Sequence, residues 1–428
     1  MIKKLIIFGC SLLFGQNYIF VHGLKSNADT FFKMAGEFNN TTIKIGIEHF
    51  NQIGICKMSN NDINCSEIAS NNTLARAYGL VNNFDTKIYF KKFNNNDTNL
   101  SMDNATLYTN QKFTSNSFIV NLSNNINLSF EAQGKELKNV INIIKNATND
   151  NNFILIGHSM GGLSIRSYLQ YYYDNDVINI NEVITIATPH QGINYYIPSS
   201  IYGASSNNLK SNSQDLQKLN LTNLDVYKKI PFISIVSSGY DKSIFDGDLI
   251  SGSDDDGVVS VNSQIPPFET KIIKLTDGIY HTTETTNIKI INLVKKYSSD
   301  YKRINNGWNL IGGEVESFNL KPLKIAWSYD NNWSYYGDFD SNYSKITHID
   351  GGFWAYGKQR DFAFIKSNIS KPLHHGWNMI KGEKNVSDLN CNITWKYKNN
   401  RWLIYPIFTG YDSFEKVKKH EGAWCLVN

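Results

Sequence analysis

Apolar and polar positions follow two regimes along this chain, and the change falls near residue 300. Before it, short apolar runs alternate with stretches of helical period. Residues 17–21, 87–90, 118–120, 153–156, 183–187, 232–236 and 272–275 are apolar and rich in β-formers, so each is predicted to be a strand. Leu137, Val140, Ile141 and Ile144 recur at helical spacing and predict an amphipathic helix feeding the strand at 153–156. Residues 163–172 predict a second helix, and Ile288, Ile291 and Val294 a closing one. Strands alternating with helices imply an α/β domain over 17–297, with a mostly parallel, doubly wound sheet covered on both faces.

Beyond the polar stretch at 295–300 the pattern repeats itself at a period of roughly seventy residues. Gly307-Trp308-Asn309-Leu310-Ile311 matches Gly376-Trp377-Asn378-Met379-Ile380. Ile325-Ala326-Trp327 matches Ile393-Thr394-Trp395, Trp333 matches Trp402, and Gly352-Phe353-Trp354 matches Gly422-Ala423-Trp424. Aromatic and polar residues alternate, with turns expected at Asn331-Asn332 and Asn399-Asn400, so paired hairpins are predicted. A smaller all-β domain of two repeats, 303–368 and 370–428, is therefore expected. All 8 tryptophans lie in this region. Tryptophan at hairpin spacing is more often core than ligand platform.

The chain has 428 residues, enough for two cored domains, and its aromatic content of 13% is that of a globular protein. A net charge of +4 is small for that length and argues against nucleic acid as the partner. Residues 1–15 read as a secretory signal: Lys3 and Lys4 precede an apolar stretch too short to span a bilayer. Export to the periplasm, the cell surface or the medium is expected, with a lipid anchor on Cys10 as the minor alternative. Removing the signal takes Cys10 from the 5 cysteines and leaves Cys56, Cys65, Cys391 and Cys425. An even number in an exported chain implies disulfides, and the local pairing, Cys56–Cys65 and Cys391–Cys425, is expected. Aligning the repeats sets Leu323 and Ala355 opposite Cys391 and Cys425, an apolar pair where the other repeat holds a bridge. No spacing here is that of a metal site.

The chemistry centres on Gly157-His158-Ser159-Met160-Gly161-Gly162, which follows a predicted strand and opens a predicted helix. A nucleophile elbow needs that context: a tight, strained turn lifts the serine hydroxyl above the sheet. Ser159 needs a base and an acid, which follow it in the order acid, then histidine. His190 comes directly after the strand at 183–187, ahead of any acid loop. His281 follows the strand at 272–275 by a short loop and is the expected base. The acid is sought among Asp241, Asp246, Asp248, Asp254, Asp255 and Asp256. Asp256 leads, because Gly257-Val258-Val259 can anchor its loop, and Asp241 is second. The oxyanion needs two backbone N–H donors, assigned to Met160 and to Leu24 in the early loop His22-Gly23-Leu24. His22 is read as a brace for that loop. The chemistry needs no cofactor, and the 246–256 loop admits a calcium ion.

These residues resemble the α/β-hydrolase superfamily, and within it the secreted lipases and the GPI inositol-deacylase-like hydrolases. The matching pieces are VHGL at 21–24, ILIGHSMGGL at 154–163, ITIATPHQG at 184–192, DGVVS at 256–260 and His281. The resemblance implies Asp256 as the triad acid and a cap inserted at 193–229. The Trp-rich segments resemble GWNLIG-type β modules of exported bacterial proteins. Together these imply an exported serine esterase or lipase acting on ester or lipid substrates, with association to a membrane or cell surface. The alternatives are an acyltransferase or amidase with the same triad, or a surface- or carbohydrate-binding protein that uses its tryptophans.

Overall fold

A computed structural model of the chain describes residues 16–48, 115–122, 124–195, 198–242, 248–250, 254–298, 300–339, 342–364, 372–382 and 384–428, with short strands at 57–59, 62–64, 86–91, 99–101 and 106–108. It divides into two compact units: residues 1–178 with 192–219, and residues 179–191 with 220–428. The expected signal at 1–15, Cys10, Cys56, Cys65 and Asp246 lie outside the described residues.

The first unit carries β1 (Asn17–Val21), β2 (Thr42–Glu48), β3 (Thr86–Lys91), β4 (Thr106–Tyr108), β5 (Ser117–Asn121) and β6 (Asn152–His158). β1 lies between β5 and β6, parallel to both. β2 runs parallel to β5 and β3, and β4 adds an antiparallel edge. Strands buried on both faces show unbroken apolar runs rather than alternation. Phe153, Ile154, Leu155 and Ile156 accordingly have no exposed surface. Helix α1 (Phe130–Thr148) is capped by Ser129, whose hydroxyl accepts from the Ala132 N–H. Helix α2 (Met160–Tyr171) follows β6 directly.

The expected insertion is helical where it is described, with turns at Ser199–Tyr202 and Ser205–Asn208 and a helix α3 (Gln214–Leu221). Ile193, Leu209, Leu216 and Leu219 pack with Phe130, Met160 and Leu163, and Leu24 lies against the same cluster. Arg166 of α2 is fully buried because its guanidinium donates to the Leu219 carbonyl at 2.9 Å, and Gln170 donates to the same oxygen at 2.8 Å. This segment is therefore anchored on the helix that follows the elbow, not laid over the surface.

The second unit carries the parallel strands β7 (Asn179–Ile186), β8 (Phe232–Ser237) and β9 (Lys271–Leu275), then helix α4 (Ile288–Ser298). Two five-stranded sheets follow. The first is built on β10 (Gly307–Glu316), β11 (Ile325–Asp330), β12 (Asn332–Gly337) and β13 (His348–Gly357), in the order β10-β13-β11-β12, with Ser344–Lys345 at its edge. The second is built on β14 (Gly376–Lys381), β15 (Ile393–Lys398), β16 (Arg401–Tyr405) and β17 (Gly422–Val427), in the order β14-β17-β15-β16, with Asp412–Ser413 at its edge. Asn399 and Asn400 both take positive φ (51° and 60°), the backbone of the tight hairpin turn that asparagine tolerates.

The sheets meet through exchanged aromatic contacts. Trp354 of the first packs on Tyr397 and Trp402 of the second, at 5.2 and 5.7 Å between ring centres. Trp424 of the second packs on Tyr329 and Trp333 of the first, at 5.6 and 5.8 Å. Cys391 and Cys425 form a disulfide in the core of the second sheet. At the corresponding place in the first, Leu323 and Ala355 are buried apolar residues.

The β sheets are held to the strands of the same unit by polar anchors. Arg360 donates to the Ile180 carbonyl at 2.9 Å, Lys321 donates to the Glu269 carbonyl at 2.9 Å, and Lys271 pairs with Glu316 at 2.5 Å. The Tyr301 hydroxyl donates to the fully buried Glu182 carboxyl, which burial pushes up to about 8.

Candidate active site

Ser159 stands between β6 and α2 with φ 54° and ψ −130°, outside the regions ordinary residues occupy. The strain follows from the tightness of the turn. A Cβ on Gly161 would lie 2.2 Å from the Val21 carbonyl oxygen, and one on Gly157 2.7 Å from the Gly162 nitrogen. Only glycine lets the start of α2 approach the end of β1 so closely. Ser159 is half-buried, whereas His158 before it and Met160 after it are buried.

The loop after β1 reaches the same place. A Cβ on Gly23 would sit 2.8 Å from the Ser159 Cβ and 3.2 Å from its hydroxyl oxygen. The backbone around Gly23 is thereby pressed against the serine, and Leu24 is the next residue. Met160 is the first residue of α2, so its N–H is one of the free donors at a helix N-terminus, where the helix dipole favours negative charge. His22 is buried, its Nδ1 lies 3.0 Å from the Gly23 carbonyl oxygen, and burial lowers its pKa to about 4. It is neutral at physiological pH and braces the loop. Asn125 does the same, donating to the Gly23 carbonyl at 2.6 Å and the Ser26 carbonyl at 3.2 Å.

Asp256 and His281 come together in the second unit. Oδ2 of Asp256 accepts from Nδ1 of His281 at 2.9 Å, and the His281 N–H donates to the Asp256 carbonyl at 3.0 Å. The other carboxylate oxygen accepts from the backbone N–H groups of Val258 and Val259, at 2.9 and 2.7 Å. Gln264 adds a donor to Oδ2 at 3.3 Å and ties the turn to β8 through both the N–H and the carbonyl of Ser237. Asp256 is fully buried and His281 nearly so. An imidazole whose Nδ1 is so engaged offers Nε2 as its basic nitrogen.

A second carboxyl borders this pair. Glu284 is fully buried, with Oε2 3.6 Å from Nδ1 of His281. Burial first, and then the charge of Asp256, hold its pKa well above the usual range. A second carboxylate charge beside Asp256 is costly, so Glu284 holds its proton well past the usual carboxylate range.

The other candidates have different tasks. His190 is fully buried, with Nε2 3.1 Å from the Thr185 hydroxyl and its ring edge-on to Phe232, so it belongs to the core. Asp248 accepts from the backbone N–H groups of Lys242 and Ile250, and Asp255 from that of Gly257. Burial and the neighbouring carboxylates push Asp255 up to about 6. Asp254 is exposed and paired with Lys274 at 3.4 Å.

The sequence pattern of the palmitoyl protein thioesterase family matches residues 79–245, which include β6, the Ser159 turn and α2. The strained serine turn between a central parallel strand and a helix decides the architecture. The chain has the α/β-hydrolase fold. Among solved structures, this chain is similar to the product of gene lin2722 from Listeria innocua, at 15% identity over 67% of this chain and 94% of that one, with a TM-score of 0.40. It is similar to the mature Bacillus licheniformis lipase BlEst2 at 14% identity, over 65% and 89% of the two chains, with a TM-score of 0.36. Phospholipase PlaB from Legionella pneumophila is similar over 95% of this chain and 91% of its own, at 10% identity and a TM-score of 0.37. No curated protein matches the chain. Among the described residues, no helix is long and apolar enough to cross a membrane.

Proposed function

We propose that this α/β-hydrolase is an exported serine hydrolase of acyl esters, with Ser159 as nucleophile, His281 as base and Asp256 as the acid that orients the base. The hydrogen bond between Asp256 and Nδ1 of His281 carries the reading, because it presets the tautomer a general base needs. Ser159 Oγ attacks the acyl carbon as its proton passes to Nε2 of His281. The carbonyl oxygen becomes an oxyanion and takes hydrogen bonds from the Leu24 and Met160 N–H groups. The imidazolium, held by Asp256, protonates the leaving group. Water, deprotonated by the same nitrogen, then releases the acid and restores Ser159.

Leu24 and Met160 border an apolar cluster with Ile193, Leu209 and Leu216, so an apolar acyl chain fits the surroundings of the oxyanion donors better than a polar one, with the insertion at 193–229 as the cap. The palmitoyl protein thioesterase match supports thioesters beside oxygen esters. The leader at 1–15 and the Cys391–Cys425 disulfide support export.

The test is turnover of p-nitrophenyl esters of two to sixteen carbons and of palmitoyl-CoA, by the wild type, Ser159→Ala and Asp256→Asn. Loss of about 10³-fold or more in kcat is expected for both variants, with the wild type favouring long chains. Undiminished turnover by Ser159→Ala overturns the mechanism. Release of a new ester rather than free acid, when an alcohol is added, makes the enzyme an acyltransferase with the same triad.

A further inference from the structure

A cavity of about 610 Å³ lies on the second of the two β sheets, and among the described residues its lining is aromatic: Trp377, Trp395, Trp402, Tyr411 and Trp424, with Tyr329 contributed by the first sheet. We propose that this cavity is a binding site for a quaternary ammonium group. It is an open-sided box, with its rings set edge to face and not in one plane. Trp395 stands at 88° to Trp402 and at 85° to Tyr411, and Trp377 at 89° to Trp424. Faces set at right angles surround a compact cation with the negative sides of several ring quadrupoles. A sugar stacks best on a flat ring and brings hydroxyls, each of which costs free energy if buried without a partner. The six lining side chains include no charged or amide group, so they cannot satisfy a ring of hydroxyls, and they offer no cation to hold an anion. A trimethylated nitrogen has no hydrogen bond to satisfy and carries the charge the rings attract.

The box opens outward. Trp377, Trp402 and Tyr411 remain 38%, 39% and 48% exposed, so a ligand can reach them. The first sheet has the same rings in the same register, with Trp327 edge-on to Tyr343 at 5.6 Å as Trp395 is to Tyr411 at 5.0 Å. There, however, Phe339 lies 6.1 Å from Trp327 and 4.8 Å from Tyr335. In the second sheet Ile404 pairs across from Trp395 as Tyr335 does from Trp327, and Phe408 is turned out, 63% exposed. One box is plugged and one is open, so one ligand per chain is expected.

The experiment is titration calorimetry on the full chain with choline, with its neutral isostere 3,3-dimethylbutan-1-ol, and with cellotriose. Choline is expected to bind with one site and the isostere at least about tenfold more weakly, since the shape is shared and only the charge differs. Tyr411→Ala and Trp402→Ala are expected to lose choline binding; Tyr411 lies at the rim, which keeps the test open should Trp402→Ala fail to fold. Trp327→Ala is expected to keep it. Equal affinity for the isostere, preference for cellotriose, no binding of choline, or a Trp327→Ala loss as large as that of Tyr411→Ala would each overturn the proposal. Capture by phosphatidylcholine vesicles but not phosphatidylglycerol vesicles, reversed by free choline, would support the site and place the group on a lipid headgroup. Choline binding without vesicle capture would support it with a soluble ligand.

Discussion

Glu182 offers the most direct quantitative test of the packing. It lies fully buried on β7, accepts a hydrogen bond from Tyr301, and titrates near 8 instead of its ordinary 4.5. Below 4.5 the group is protonated in both folded and unfolded chains and has no effect on stability. Between 4.5 and 8 the unfolded chain loses this proton while the folded chain keeps it, so stability falls as pH rises. Above 8 the loss levels off at about 5 kcal/mol, the equivalent of that displacement at 1.36 kcal/mol per pH unit. Glu182→Gln keeps the shape and an acceptor for Tyr301 but cannot ionise. Urea unfolding at pH 5, 7 and 9, followed by circular dichroism, measures the difference between the two proteins. The variant should match the wild type to within about 1 kcal/mol at pH 5 and exceed it by several at pH 9. Tryptophan emission reports the C-terminal sheets separately, since all 8 tryptophans lie there. A difference that does not change with pH, or a wild type that is the more stable at pH 9, would refute the reasoning.

Three further outcomes are expected. Gly23→Ala places a Cβ 2.8 Å from that of Ser159 and should lower kcat by about 10²-fold, with some loss of melting temperature as the loop shifts; full activity would show that the loop can move aside. Glu284→Gln mimics a protonated acid and should stay within about threefold of wild-type turnover at pH 7; a loss of two orders of magnitude would mean that Glu284 works as an anion. Its alkaline limb should also extend further, because the wild-type carboxyl ionises beside Asp256 as pH rises. Replacing both Cys391 and Cys425 with serine should cost about 2–4 kcal/mol in thermal unfolding, as the bridge closes a separation of 34 residues. Cys391→Leu with Cys425→Ala, the pair the first sheet uses, should recover part of that loss.

The elbow was legible because its requirements are local: a buried run, two glycines around a serine, and a helical period after it. The contact between His281 and Asp256 was foreshadowed by chain order; Val258 and Val259, read as an apolar anchor for the loop, also hold the carboxylate through their N–H groups. Asn125, Gln264 and Glu284 left no such trace. Asn125 and Gln264 act through contacts far along the chain, Glu284 borders His281 only three residues away, and a polar residue in an aperiodic stretch reads as a loop residue. β2 also escaped notice, although Ile43, Ile45 and Ile47 alternate, because Lys44 and Gly46 break the apolar run. Arg166 shows the general difficulty. A charge on a helix is ordinarily solvated, and it takes a distant partner such as the Leu219 carbonyl to hold it buried.

The exchanged tryptophans of the two C-terminal sheets have a consequence for how such a pair can change. Contacts in which each partner gives the other the same residue are those of a two-fold symmetric dimer. A protein holding one such sheet alone would bare Trp, Tyr and Gly surfaces and would find a second copy of itself. Fused in tandem, the halves meet at the high effective concentration of a short tether, and assembly no longer depends on how much protein is made. Symmetry then ceases to be obligatory. One half can take on a covalent clasp and keep its aromatic box open, while the other closes its own with a phenylalanine, because neither has to remain a copy of its mate.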